Sequence, residues 1–205
     1  AQVDLRTYAA ERIVLTAGER FGSASGKSGQ IRIDAGPLSH FLVSVAPKVF
    51  AGEPFPVRVE AQDIHYNIIR DFSVPGRIRI RTSGPGKITP GDLSSADFSD
   101  GVAVIPATVT SSGMQEILVE PDDRTGQGRS NPIQVLPSAA VSYKVDVLDA
   151  VTAGEPFRVR VTAQDAYGNP VEDARSIGRP VQLTTGMAGA VTSQIVPSTV
   201  SPSLF

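Results

Sequence analysis

The side chains that could do chemistry fall into four groups. Arg77, Arg79 and Arg81 alternate along one stretch, with Arg70 shortly before them. Guanidinium groups at that spacing share one face of a strand and could hold a polysaccharide or another polyanion. The competing reading is a solvated strand face. In it, Glu116 and Glu120 on a neighbouring strand face the arginines as cross-strand pairs. His65-Tyr66, at an expected loop tip, could touch a ligand, although loop tips tolerate such residues without a role. Glu120 with Asp122-Asp123 offers carboxylates suited to calcium, but without the spacing of a known liganding loop. Gly22-Ser23-Ala24-Ser25-Gly26-Lys27-Ser28 has the Gly-Lys-Ser of a phosphate loop. It is one residue short between the glycines, and no helical pattern follows to present its N-terminus to a phosphate.

None of these amounts to a reaction centre. With only His40 and His65 for histidines, no Ser/His/Asp arrangement can be singled out. Cysteine is absent, which removes disulfides, thiolate metal sites and thiol nucleophiles. We expect no catalytic residue, no cofactor and no metal. Arg77, Arg79, Arg81, His65 and Tyr66 remain as candidate ligand contacts.

The elements that carry these residues are organised by a repeat. Ala51-Gly52-Glu53-Pro54-Phe55-Pro56-Val57-Arg58-Val59-Glu60-Ala61-Gln62-Asp63 returns from Ala153 to Asp165, with eleven of thirteen positions identical and an offset of 102 residues. Within it Phe55, Val57, Val59 and Ala61 alternate with Pro56, Arg58 and Glu60. That is the period of a strand with one face packed and one wet. Pro54 stands at the start of the strand, where a missing N–H is tolerated. Asp63 and Asp165 read as turn formers at its end. In the second copy Gly168 can take the positive φ that a tight turn needs. Tyr66 stands in its place in the first copy, which puts transfer of the turn geometry in doubt.

Around this strand the chain reads as short strands and turns without sustained helical periodicity. Expected strands include Val3–Arg6, Arg12–Leu15, Ile31–Ile33, Leu38–Val45, Arg77–Arg81, Val102–Ile105, Ile117–Val119, Ile133–Val135 and Val181–Leu183, with Ala190–Thr192 in the second copy roughly matching Lys87–Thr89 in the first. The chain is expected to resume after the turn at Ile68–Phe72. Seven or so strands at this spacing favour a sandwich. The phase of the repeat divides the chain into residues 1–37, the C-terminal strands of a preceding unit; residues 38–137, a complete unit; and residues 138–205, the N-terminal part of a following unit. Either the chain is cut out of register from a longer array, which we expect, or the partial units complete each other. The absence of a starting Met and signal segment fits a fragment or processed segment.

The pattern Ala-Gly-Glu-Pro-Phe-x-Val-x-Val-x-Ala-x-Asp, followed by Tyr167-Gly168-Asn169-Pro170-Val171, resembles bacterial immunoglobulin-like repeats of the invasin/intimin group and filamin-type repeats. The resemblance implies an all-β chain of tandem immunoglobulin-like β-sandwiches, about 102 residues per repeat. It implies an exported bacterial protein, extracellular or on the cell surface. There the repeats act as a structural or adhesive stalk or spacer, or as an accessory, carbohydrate-directed domain of a large extracellular enzyme. The implied partners are neighbouring repeats of the same chain, with polysaccharide or another surface protein as further candidates. A net charge of −2 provides no global field for nucleic acid or anionic membrane. No apolar run approaches the ~18 residues of a spanning helix.

Overall fold

A computed structural model describes residues 2–172, 179–184, 197–201 and 204. The chain is all-β, with sandwich-like sheets. The expected segment Ala190–Thr192 lies outside the described residues.

The N-terminal strands are short: β1 (Arg12–Ile13), β2 (Thr16–Gly18), β3 (Ser25–Lys27) and β4 (Ile31–Arg32). β1 pairs with β4, and β2 with β3, both antiparallel. Val3–Arg6 is not a strand, because no neighbour among the described residues offers it a ladder. The Gly-Lys-Ser run lies on the β2–β3 hairpin and opens no helix.

The middle of the chain forms β5 (His40–Val45), β6 (Lys48–Phe50), β7 (Phe55–Gln62), β8 (Ile78–Thr82), β9 (Ile88–Thr89), β10 (Asp92–Leu93), β11 (Val102–Val109), β12 (Gly113–Gln115), β13 (Ile117–Pro121), β14 (Gly128–Arg129) and β15 (Ile133–Leu136). One continuous sheet runs β10-β8-β13-β14-β5-β7-β11-β9, and a second β12-β15-β6. The repeated strand β7 lies between β5 and β11, antiparallel to both, with Val59 opposite Val43 and Val57 opposite Ile105. The alternation dictates what it buries. Phe55, Val57, Val59 and Ala61 enter the core, while Pro56 and Arg58 stay in water. Each large apolar side chain so buried contributes about 1.5–3 kcal/mol before entropy.

That core is a single cluster. Ile78 and Ile80 from β8, Ile117 and Val119 from β13, and Ile133 and Val135 from β15 meet the β7 side chains there. Phe72 and Phe98 close it against Phe41, with ring centroids 4.7 Å apart for Phe72–Phe98 and 5.5 Å for Phe41–Phe72. Phe72 reaches this position from a turn. Where the chain resumes after the turn, at Ile68–Phe72, it makes one bridge, Ile68 with Gln62. The first and last parts of this region pair parallel, β5 with β14 and β6 with β15. Gly128 permits the first approach, since a Cβ there would lie 2.6 Å from the Phe41 carbonyl oxygen.

Beyond this core, β16 (Ser142–Val147) pairs antiparallel with β17 (Val159–Gln164). β18 (Val181–Gln182) pairs with β19 (Thr199–Val200). Tyr143 and Val145, 102 residues after buried Phe41 and Val43, are 42% and 52% exposed. Asp149 and Arg158 stand 102 residues after Pro47 and Pro56, and they form a bidentate ion pair with Nη2–Oδ1 at 2.7 Å and Nε–Oδ2 at 3.0 Å.

Candidate functional site

Strand β7 ends in the turn Asp63-Ile64-His65-Tyr66-Asn67, and β17 ends in Asp165-Ala166-Tyr167-Gly168-Asn169. Of the five positions only Asp and Asn are common to both. Each turn is closed by the same backbone bonds. Asp63 N–H donates to the Asn67 carbonyl at 3.0 Å and Tyr66 N–H to the Asp63 carbonyl at 3.1 Å; the bonds from Asp165 and Gly168 have the same lengths.

The carboxylate organises the turn from inside. Asp63 is 2% exposed. Its Oδ1 accepts the N–H groups of His65 at 2.8 Å and Asn67 at 2.9 Å, and its Oδ2 accepts Gly36 N–H at 2.9 Å and Asn67 Nδ2 at 2.9 Å. Asp165 repeats this, accepting Tyr167 N–H at 2.9 Å, Asn169 N–H at 2.9 Å, Ser138 N–H at 3.1 Å and Asn169 Nδ2 at 2.8 Å. Burial alone pushes the Asp63 carboxyl up. The donors from Asn67, Gly36 and His65 outweigh it and hold the group at about 2. Asp165 is held below the ordinary carboxylate range by the same balance of burial against its own four donors.

The asparagine carries the turn outward. Asn67 donates Nδ2–H to the Tyr8 carbonyl at 2.7 Å, and its Oδ1 accepts Ala10 N–H at 2.9 Å. Asn169 donates to the Thr110 carbonyl at 2.8 Å and accepts Ser112 N–H at 2.9 Å. The partners are again 102 residues apart. A carboxamide satisfies a carbonyl and an N–H two residues further on, as a neighbouring strand would. With the Asp bond included, both its donors and its acceptor are used. An aspartate could not do this, since it would set an acceptor against the carbonyl.

Tyr66 occupies the left-handed region at φ 67°, as Gly168 does at φ 82°. The turn geometry therefore does transfer between the copies. The identical Asp and Asn impose it, and Tyr66 accepts the backbone cost. Its ring lies edge-on to His40 at 5.2 Å, and the His65 ring meets that of Tyr8 at 4.7 Å, tilted by 53°. His65 and Tyr66 thus sit on the turn that meets the N-terminal segment. The turn-bracketing role of Asp165 and Asn169 can be read from the sequence. The outward reach of Asn67 and Asn169 cannot, although their retention between differing neighbours is a signal for it.

The arginines lie elsewhere, at β8. Arg79 pairs with Asp122 at 3.2 Å and Arg77 with Asp92 at 3.6 Å, while Arg81 bonds Glu120. Glu116 turns instead to Arg129, at 2.6 Å. β8 and β13 are neighbours, as expected, but the contacts run diagonally: Glu120 stands opposite Arg79 in register and bonds Arg81. A groove lined by Arg79, Arg81, Glu120, Pro121, Asp122 and Arg124 is therefore mixed in charge. Asp123 is occupied by Thr125, at 2.7 Å and 3.0 Å. Among the described residues, no three His, Asp or Glu side chains gather in a way that could hold a metal. No helix among them is long and apolar enough to cross a membrane.

No family model matches the chain, and no curated protein aligns with it. It is similar to the solved structure of the Escherichia coli adhesin FdeC at 22% identity and TM-score 0.42, over 70% of this chain and 46% of that one. It is similar to Yersinia pseudotuberculosis InvD at 14% identity and TM-score 0.40, over 80% and 52%. It is similar to domains 5–6 of the surface layer protein SbsC at 18% identity and TM-score 0.36, over 80% and 81%. The chain spans about half the length of the FdeC and InvD structures.

Proposed function

We propose that the chain is a non-catalytic structural or adhesive module of an exported surface protein. In this reading it is a run of immunoglobulin-like sandwiches in series that holds a distal part away from a surface. The observation that carries the reading is the recurrence, at an offset of 102 residues, of the whole hydrogen-bonded turn with its contacts to the chain before it. A protein whose task is a pocket would have no need to repeat an outward-facing contact. A chain that extends by adding like units would. The sequence resemblance to invasin/intimin-type repeats agrees with this, and so does the ion-paired state of the arginines, which leaves no concentrated basic stripe for a polyanion.

The test is made on cells of the source organism. An antibody raised against residues 38–137 should label intact cells, and protease added outside should remove that labelling. Labelling that appears only after lysis would contradict the surface assignment.

A further inference from the structure

We propose that the Asp-x-x-x-Asn turn is a docking surface through which each unit fixes its orientation on the unit before it in the same chain. This rests on the reading of the chain as units in series. It adds to that reading the residues that make the connection stiff.

Three parts of the chain meet at each turn. The first is the turn itself, held by its aspartate. The second is the segment leading into the unit, at Gly36 or Ser138, whose N–H is tied to the same carboxylate at 2.9 Å and 3.1 Å respectively. The third is the earlier chain at Tyr8 and Ala10, or at Thr110 and Ser112, gripped by the asparagine. A connection held at its lead-in segment and at its contact face has lost the freedom of a flexible linker.

The grip reads only main-chain atoms. Tyr8 and Ala10 differ in type from Thr110 and Ser112, yet the carboxamide meets both pairs alike. The joint is thereby independent of which unit precedes. Side chains supplement it differently at the two places. Tyr167 lies against Gly52, where a Cβ would be 2.3 Å from Cε2 and 2.4 Å from the hydroxyl oxygen. At the other turn His65 lies on Tyr8.

The experiment uses the full 205-residue chain, whose lack of cysteine permits spin labels at Ser44→Cys and Lys144→Cys. Electron–electron distance measurement should give one narrow distribution. Asn169→Ala should lose that peak in favour of a broad one. A broad distribution in the parent chain, or a narrow one retained in Asn169→Ala, overturns the proposal. If circular dichroism finds that Asn169→Ala has lost structure, Ser112→Pro decides instead, since it removes the N–H that Asn169 accepts and leaves the turn's own hydrogen bonds in place. Broadening supports docking, and an unchanged peak overturns it. Failure here leaves the surface-labelling result untouched, so the two readings fail separately.

Discussion

The side chain of Asn169 donates a hydrogen bond to the backbone carbonyl of Thr110 at 2.8 Å, across 59 positions of sequence. Asn67 makes the same bond to Tyr8, also across 59 positions. A local turn signal is thereby turned into a long-range contact. The cost of burying its polar atoms is met because each finds a partner.

Asp63→Ala should destabilise the sandwich built around β7 by about 2–4 kcal/mol, because Gly36, His65 and Asn67 lose their acceptor together. Urea denaturation checks this. The midpoint should fall while the slope stays the same.

The same carboxylate sets a pH dependence. Its folded value of about 2 lies below the ordinary 3.8, so the unfolded chain binds the proton more readily. Its stabilising contribution is complete above the ordinary value and is lost as pH falls from there through about 2. Denaturation midpoints of the parent and Asp63→Ala should therefore converge as pH is lowered across that window. A gap that stays constant would contradict the assignment.

Tyr66→Gly should raise stability by up to about 1 kcal/mol. Relief of the left-handed backbone outweighs the flexibility added to the unfolded chain. Gly168→Tyr should cost about as much. Thermal melts of the two variants should shift in opposite directions.

How far the sequence carried depended on the range of the interaction. The alternation of Phe55, Val57, Val59 and Ala61 is local, and it placed β7 and its buried face correctly. So did Ile78 and Ile80 on β8. The stretch through Leu93 and Phe98 resisted reading because it folds as two short strands and a single 3₁₀ turn, Ser95–Asp97. Phe98 is placed by its contacts with Phe41 and Phe72, and Ile88 and Leu93 by pairing opposite Val109 and Ile78, rather than by any period. The hydrogen bonds of Asn67 were out of reach for a different reason. One carboxamide is too small a pattern to reveal a partner 57 or 59 positions away. The arginine spacing gave the right face, while the diagonal pairing depended on how β8 and β13 lie against each other.

Replacing Arg77, Arg79 and Arg81 by Ser should change stability by less than about 1 kcal/mol per residue, since every pair has an arginine at least half exposed. Urea midpoints in low and high salt check this. The difference between parent and triple variant should shrink as salt rises.

The central claim, that the turn is docked on the earlier chain, is tested most directly at the backbone amide of Ser112. Amide hydrogen exchange followed by NMR should find it protected in the parent and released in Asn169→Ala. The Ser130 amide, bonded to the Ile117 carbonyl at 2.9 Å inside the sandwich, should keep its protection in both. A Ser112 amide that already exchanges freely in the parent would contradict the account.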